Sequence, residues 1–251
     1  MLYARVGFSS FVPYIWGTIP KFGDQAPIVG IAAIPITTRS TMLFHPMNAV
    51  FGTPAKVRIL RALMPLASPV LGNEARLLAG IRSKSGMQAA LDELVELGIV
   101  ERDDTRRMRF YRINKAHDLF EPLMALFQAE SKRTARLREA LQELLEQGAV
   151  REHTLSIILF GSNARGDARP ASDVDLLVVV DAEPHVASVL RILVDGIPEI
   201  RHRLGLRLSP YVLDADRVRE RHREGDPLMQ NVLSEGRTLY GTPFHEIVGA
   251  W

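Results

Sequence analysis

The 251-residue sequence predicts an α+β protein with an N-terminal helical domain, a long connecting helix and a C-terminal α/β domain on a mixed sheet. Apolar residues recur with helical spacing from Thr53 onward. Residues 117–150 keep alternating three- and four-residue apolar steps, which is typical of one long helix. Two short β-branched runs then follow. The predicted segments are an irregular extension at 1–46, a helical domain at 47–116, the connecting helix at 117–150, the α/β domain at 151–242 and a tail at 243–251.

The composition is that of an ordinary globular protein, with 47% hydrophobic and 24% charged residues and a net charge of +2. Nucleic-acid binding would therefore need a local basic patch. The absence of cysteine excludes disulfides, thiolate metal sites and a thiol nucleophile, and favours a cytoplasmic location. Pro13 and Pro35 interrupt the early apolar runs, so we expect neither a signal peptide nor contact with a membrane.

The first 46 residues contain scattered prolines and no sustained helical or strand period. We assign them no fold. One hypothesis is that translation starts at Met42 or Met47 and that the preceding stretch is a misassigned extension; the other is that the stretch is translated.

Three helices followed by a β-hairpin are predicted between Thr53 and Ile113. Thr53 can cap the first helix, with Pro54 at its first position. Ser83 can cap the third helix, and two short strands then flank a turn at 103–105. This order resembles the winged helix-turn-helix domain of small bacterial and archaeal regulators.

The resemblance implies that the third helix enters a DNA major groove and that the hairpin is the wing. Arginines on the wing would contact phosphates, which position a protein without specifying a sequence. The alternative is a protein-interaction domain whose arginines form a solvated edge. The candidate DNA-binding residues are Lys84, Ser85, Gln88 and Ala89 on the helix, and Arg102, Arg106, Arg107, Arg109 and Arg112 on the wing.

The predicted connecting helix has an apolar stripe that a second copy of the chain could cover. We therefore predict a homodimer; the alternative is that the stripe packs on the chain's own two domains. The stripe consists of Phe120, Leu123, Phe127, Thr134, Leu137, Leu141 and Leu144.

Two aspartates stand at the start of the second apolar strand of the C-terminal domain. Asp173 and Asp175 project to one side because side chains alternate along a strand. Carboxylates this close repel each other, and a divalent cation held between them would offset the repulsion. Oxygen ligands favour Mg²⁺, or Mn²⁺ in its place. Gly161 and Ser162, in the turn after the first strand, can present backbone N–H groups and a hydroxyl to phosphate oxygens.

The segment GSNARGDARPASDVDLLV resembles the minimal nucleotidyltransferase branch of the polymerase-β-like superfamily, over about residues 154–241. The resemblance implies that Gly161 and Ser162 hold a nucleoside triphosphate and that Asp173 and Asp175 bind two Mg²⁺ ions. A hydroxyl would then attack the α-phosphorus in line and pyrophosphate would leave.

Two arginines lie in the polar hinge between the strands. Arg165 and Arg169 could reach the phosphates of the nucleotide, or they could belong to a solvated loop.

The sequence departs from the family pattern where a later strand usually supplies a third carboxylate. Residues 206–213 contain no Asp or Glu, and Ser209 or Pro210 occupies the middle. Asp214 or Glu199 could take the missing place, or catalysis could be slow or lost.

Four histidines stand apart in the sequence, and a lone histidine is more often a surface or core residue than a metal ligand. We therefore expect no metal site at His153, His185, His202 or His222.

Two functional hypotheses follow. The first is a nucleotidyltransferase that moves a nucleoside monophosphate from an NTP to a hydroxyl on a protein, on a small molecule or on itself, with the winged helix bound to DNA or to a partner. Some minimal nucleotidyltransferases look like antitoxins that add AMP to a partner toxin. The second is a DNA-binding transcriptional regulator whose degenerate transferase domain only binds nucleotide.

Overall fold

The computed structural model describes residues 50–105, 108–169 and 172–249. The predictions made for residues 1–46, including both candidate start methionines, lie outside these ranges. The first group of elements is α1 (Pro54–Leu63), β1 (Val70–Leu71), α2 (Gly72–Leu78), α3 (Lys84–Glu96), β2 (Val100–Asp104) and β3 (Arg109–Ile113).

The caps of the N-terminal helices lie where the sequence predicts them. The Thr53 hydroxyl accepts a hydrogen bond at the start of α1, and Ser83 does the same at the start of α3. The strands form an antiparallel sheet in the order β1-β3-β2. The hairpin turn comes later than predicted, because Thr105 and Met108 close it through two mutual backbone hydrogen bonds.

The connecting segment is two helices, so the prediction of one long helix is wrong. α4 spans Phe120–Ser131, α5 spans Arg133–Gln147, and Lys132 stands between them. The Ser131 hydroxyl donates to the Gln128 carbonyl at 2.9 Å, a type of backbone contact that often bends a helix.

The apolar stripe of this segment divides between two hydrophobic cores. Leu123 is buried with α1 to α3, whereas Leu137 and Leu141 are buried against the C-terminal sheet. The change of packing partner explains the break between α4 and α5. The leucines expected to face a second copy are covered by the chain's own domains, so the homodimer stays a prediction without this surface to support it.

The C-terminal group contains a four-stranded mixed sheet in the order β6-β5-β4-β7. β4 pairs antiparallel with β5 and β7, whereas β5 and β6 are parallel. Its elements are β4 (Thr154–Phe160), α6 (Gly161–Arg165), β5 (Val174–Val180), a 3₁₀ turn (Glu183–His185), α7 (Val186–Leu204), β6 (Leu208–Asp214), α8 (Ala215–Arg223), α9 (Pro227–Glu235), β7 (Arg237–Gly241) and α10 (Phe244–Val248).

Helices cover both faces of this sheet, which is why β4 and β5 are almost continuously apolar. α5 and α7 lie on one face; α8, α9 and α10 lie on the other. Along β5, Leu176 and Val178 point to the first face, and Leu177 and Val179 to the second. Asp175 has the same alternation as Leu177, so its side chain leaves the sheet on the second face.

None of the helices in the described part of the chain is long and apolar enough to cross a membrane.

Candidate active site

Gly161 makes the turn that places β4 and α6 beside the aspartates. It directly follows β4 and has a φ of +69°, a left-handed conformation that glycine adopts without strain. A Cβ atom at this position would lie 2.4 Å from Oδ2 of Asp175. Only glycine therefore allows this turn to contact the carboxylate.

The sheet register places both aspartates at this turn. Asp175 lies opposite Phe160, the last residue of β4, and opposite Ser209 on β6. Asp173 precedes β5, and its Oδ1 lies 2.9 Å from Nε of Arg207. The Asn163 side chain in α6 donates to the backbone carbonyl of Asp173 at 2.6 Å, which ties the hinge between the strands to the turn.

The electrostatics of the pair favour a bound cation. Burial raises the pKa of Asp175 above its usual range, the charge of Asp173 raises it further, and Arg165 opposes the change. A divalent cation between the two carboxylates would remove this cost, and their oxygens suit Mg²⁺ or Mn²⁺.

Glu235, at the end of α9, is a site residue that sequence analysis missed. Its Oε1 accepts the backbone N–H of Gly161 at 3.0 Å and an Arg165 N–H at 2.9 Å. The Glu235 side chain is only 17% exposed. No sequence signal identifies it, because it lies 74 residues after Gly161 and only the fold brings it there.

The groups predicted to contact phosphate differ in whether they already have a hydrogen-bond partner within the protein. The N–H of Gly161 and the guanidinium of Arg165 both bind Glu235, and Arg165 also contacts Asp167 at 3.2 Å. Ser162 accepts three backbone N–H groups of the hinge through its carbonyl. The Arg169 side chain instead faces a cavity.

This cavity, of about 940 Å³, adjoins Asp173 and is strongly basic. Glu130 is the one carboxylate among the described residues that line it, and it pairs with one of the arginines at 2.6 Å. Such a lining fits an anionic ligand. The lining arginines are Arg58 and Arg61 from α1, Arg169 from the hinge, Arg201 from α7, and Arg207 before β6.

No described residue of β6 supplies a carboxylate next to the aspartate pair. The residue opposite Asp175 is Ser209, and Asp214 lies opposite Val180 at the other end of the strand. Asp214 accepts the N–H of Arg217 at 2.9 Å and caps α8. The expectation that Asp214 could replace the third carboxylate is therefore wrong, and Glu199 is an exposed residue of α7.

The predicted recognition helix exposes Lys84 and Ser85 in its first turn. Gln88 is partly engaged, since its amide donates to Asp92 at 2.9 Å and to the Tyr111 hydroxyl at 3.3 Å. Ala89 is exposed as well, so Gln88 is the one predicted contact residue on α3 that is partly buried.

Each described arginine predicted for the wing has a carboxylate partner, which reduces the positive charge available to phosphates. The partners are Asp92 and Asp104 for Arg102, Asp104 for Arg109 and Glu101 for Arg112. The other two predicted wing residues, Arg106 and Arg107, lie outside the described residues.

The expectation that the histidines stand alone is wrong for two of them. His153 and His185 stack with ring centroids 3.6 Å apart, and both contact Asp181. The strand pairing of β4 and β5 brings them together from distant positions.

Comparison with known proteins assigns one segment of the chain to a family. Residues 135–220 match the family model described as "Nucleotidyltransferase domain". These residues form a nucleotidyltransferase domain. The match includes the Gly161 turn and both aspartates, whereas Glu235 lies beyond it.

A curated relative with a specific name also matches part of this chain. The Methanocaldococcus jannaschii protein MJ1305, provisionally named a protein adenylyltransferase, is 37% identical over 81 residues, which is 31% of this chain. The chain therefore spans about half of that relative, 55% of its length.

Two solved structures also align with part of this chain. One is a toxin-antitoxin with AMP-PNP and the other a mutant of the toxin-antitoxin MntA-HpeT; both are 18% identical, cover 45% of this chain and have a TM-score of 0.30. The alignments cover 81% and 80% of those chains.

Proposed function

We propose that this protein transfers AMP from ATP to a hydroxyl group of another protein. The nucleotidyltransferase domain supports nucleotidyl transfer in general. The choice of ATP and of a protein acceptor rests on the name of the Methanocaldococcus jannaschii relative.

The contact between the Gly161 turn and Asp175 is the observation that most directly supports the proposal. The turn suits phosphate oxygens and the carboxylate suits a cation, and the missing Cβ lets the two lie side by side. A triphosphate with its cation needs both groups at one place.

The residues present fit a divalent cation. Asp173 and Asp175 would hold it, and a cation there would offset the burial and the charge of Asp173 that raise the pKa of Asp175. When bound, the cation would neutralise part of the charge of the triphosphate.

The protein's own side chains would position the reactants. The arginine-lined cavity would orient the phosphates, and Glu235 would have to release the Gly161 N–H for a phosphate oxygen to use it. The acceptor oxygen then bonds to the α-phosphorus, the bond to the bridging oxygen breaks, and pyrophosphate leaves. Because Ser209 occupies the place opposite Asp175, we expect proton removal to be inefficient and turnover slow.

The test is incubation with Mg²⁺ or Mn²⁺ and each α-labelled NTP, with cell extract as the acceptor source. We expect label from ATP on a protein band and release of pyrophosphate. Asp173→Asn with Asp175→Asn should abolish both signals. Asp195→Asn, which changes an exposed carboxylate on α7, should leave them unchanged. Label transfer that survives the double substitution would refute the assigned site.

A second candidate is a DNA-binding regulator that only senses a nucleotide. The absence of a carboxylate opposite Asp175 favours it, and the winged-helix interpretation of α1 to β3 supplies the DNA-binding part. Nucleotide binding without transfer, together with duplex-DNA binding lost on Lys84→Ala, would support this candidate. The carboxylate partners of the described wing arginines leave fewer charges for phosphates, so they predict weak DNA binding with a shallow salt dependence.

A further inference from the structure

The cluster of His153, Asp181 and His185 lies at the opposite end of β5 from the aspartate pair. Thr154 pairs with Val180 across the β4 and β5 ladder, so the residues flanking that pair, His153 and Asp181, also lie side by side. The Asp181 N–H donates to the His153 carbonyl at 3.0 Å and fixes this arrangement through the backbone. His185 comes from the 3₁₀ turn that leads into α7.

The potential ligand atoms of the three side chains lie close together. Nδ1 of His153 lies 3.0 Å from one oxygen of Asp181, and Nδ1 of His185 lies 2.6 Å from the other. One potential ligand atom from each residue lies within 4.8 Å of the other two. Among the described residues this is the one group of three or more His, Asp or Glu with such spacing.

Exposure and charge suit an ion that enters from solvent. The side chains of His153, Asp181 and His185 are 31% to 37% exposed, so the cluster is reachable but partly sheltered. The Glu152 carboxylate lies 3.7 Å from Nε2 of His153 and adds negative charge nearby.

We propose that His153, Asp181 and His185 bind one divalent transition-metal cation of the Zn²⁺ class. Two imidazole nitrogens with one carboxylate oxygen suit Zn²⁺, Co²⁺ or Ni²⁺, whereas Mg²⁺ prefers oxygen ligands alone. The ion would lie between the two Nδ1 atoms and the Asp181 carboxylate. Water would complete the coordination on the exposed side.

The proposed ion has a structural role. It joins the start of β4, the end of β5 and the turn before α7. The site is roughly 20 Å along β5 from Asp175, at about 3.3 Å per residue, so it is separate from the nucleotide site. The inference does not depend on the proposed function.

The test uses the full chain without a histidine tag, stripped of metal with EDTA and dialysed. Co²⁺ titration should give one equivalent of bound ion with a visible absorption band, and Zn²⁺ should displace it. Zn²⁺ at a hundredfold excess over its Kd should raise the thermal midpoint by about 5 to 10 °C.

Matched variants assign the site. His153→Gln and His185→Gln should each weaken Co²⁺ binding at least tenfold, while glutamine keeps a group that can hydrogen-bond to Asp181. His202→Gln changes an exposed histidine of α7 and should leave the Kd unchanged. Asp173→Asn should also leave it unchanged.

Three results would overturn the proposal. One is the absence of both the Co²⁺ absorption band and the Zn²⁺ thermal shift at about 100 μM metal, a concentration that would saturate a tight site. A second is a band that survives the His153→Gln and His185→Gln double substitution. The third is a Co²⁺ Kd that neither His153→Gln nor His185→Gln weakens.

Discussion

Gly161 illustrates how a single residue can serve both the fold and the chemistry of the site. Its positive φ disfavours any residue with a Cβ, and the nearby Asp175 oxygen leaves no space for one. Gly166 offers a natural comparison, since its φ of +82° is also left-handed but no atom lies within 4 Å of its would-be Cβ.

The first prediction separates these two effects. Gly166→Ala should lower the free energy of unfolding by about 1 to 2 kcal/mol through backbone strain alone. Gly161→Ala should cost more, because the added methyl also displaces Asp175. Urea unfolding of both variants measures the difference, and equal losses would show that the contact with Asp175 has no energetic weight.

The second prediction concerns the pH dependence of stability in EDTA. The folded-state pKa of Asp175 is raised, so the folded protein favours the protonated form. The contribution of Asp175 to stability is therefore full below about pH 4, where the unfolded residue is also protonated, and is lost as pH rises through the folded-state pKa.

Asp175→Asn should accordingly raise the urea midpoint at neutral pH and have little effect below about pH 4. Asp173→Asn should give a smaller gain, because it also removes the partner of Arg207. A neutral-pH midpoint that falls on Asp175→Asn would contradict the assigned repulsion.

The third prediction concerns Glu235, which binds the Gly161 N–H and the Arg165 guanidinium that the proposed function assigns to phosphate. Glu235→Gln removes the negative charge but keeps a hydrogen-bond acceptor. We expect the Kd for Mg²⁺ and a non-hydrolysable ATP analogue to fall severalfold in calorimetry. Glu199→Gln, on the exposed side of α7, is the control. Weaker binding would instead make Glu235 part of the nucleotide or cation site.

At the scale of elements, the sequence pattern predicts those strand and helix boundaries that depend on the residues of the segment itself. β4 and β5 begin and end where their apolar runs do, because both faces of the strands are buried. The connecting helix is different. Its apolar stripe skips from Phe127 to Thr134 and then resumes in phase, and the break at Lys132 coincides with this gap and with a change of packing partner.

The same reasoning explains which site residues the sequence revealed. Asp173 and Asp175 adjoin one strand, so alternation alone places them together. Glu235 and the cluster around Asp181 depend on strand pairing between distant segments. These residues are of common types, and only the folded arrangement of the strands brings them close to one another.

The fourth prediction tests the close packing of α5 against α7. A Cβ atom on Gly196 would lie 2.3 Å from Cδ1 of Leu144. Gly196→Val should therefore lower the free energy of unfolding by about 1 to 3 kcal/mol. Combining it with Leu144→Ala should restore part of the loss, and a double-mutant cycle in urea measures the coupling. Purely additive losses would show that the two side chains do not compete for space.

At the scale of the whole molecule, the basic cavity is shared by the two groups of elements. Arg58 belongs to α1, whereas Arg201 belongs to α7. A phosphate-bearing ligand in this space would therefore contact both.

The fifth prediction is that Arg58→Ala and Arg201→Ala each weaken binding of ATP about fivefold, on the order of 1 kcal/mol. The effect should shrink at high salt, because the arginines are exposed. Arg191→Ala, on the exposed side of α7, is the control. Calorimetry with ATP and with inorganic triphosphate measures the change, and an unchanged Kd for both variants would exclude the cavity as the phosphate site.

The strand order has a consequence for the limits of the folding unit. The family match ends at residue 220, yet β7 pairs with β4 along the sheet and α9 and α10 complete a core. A chain that ends at residue 220 lacks β7, so β4 would become an edge strand whose outer backbone groups have no partner. Unpaired strand edges recruit strands from other molecules, so the shortened protein should aggregate rather than fold as an independent domain.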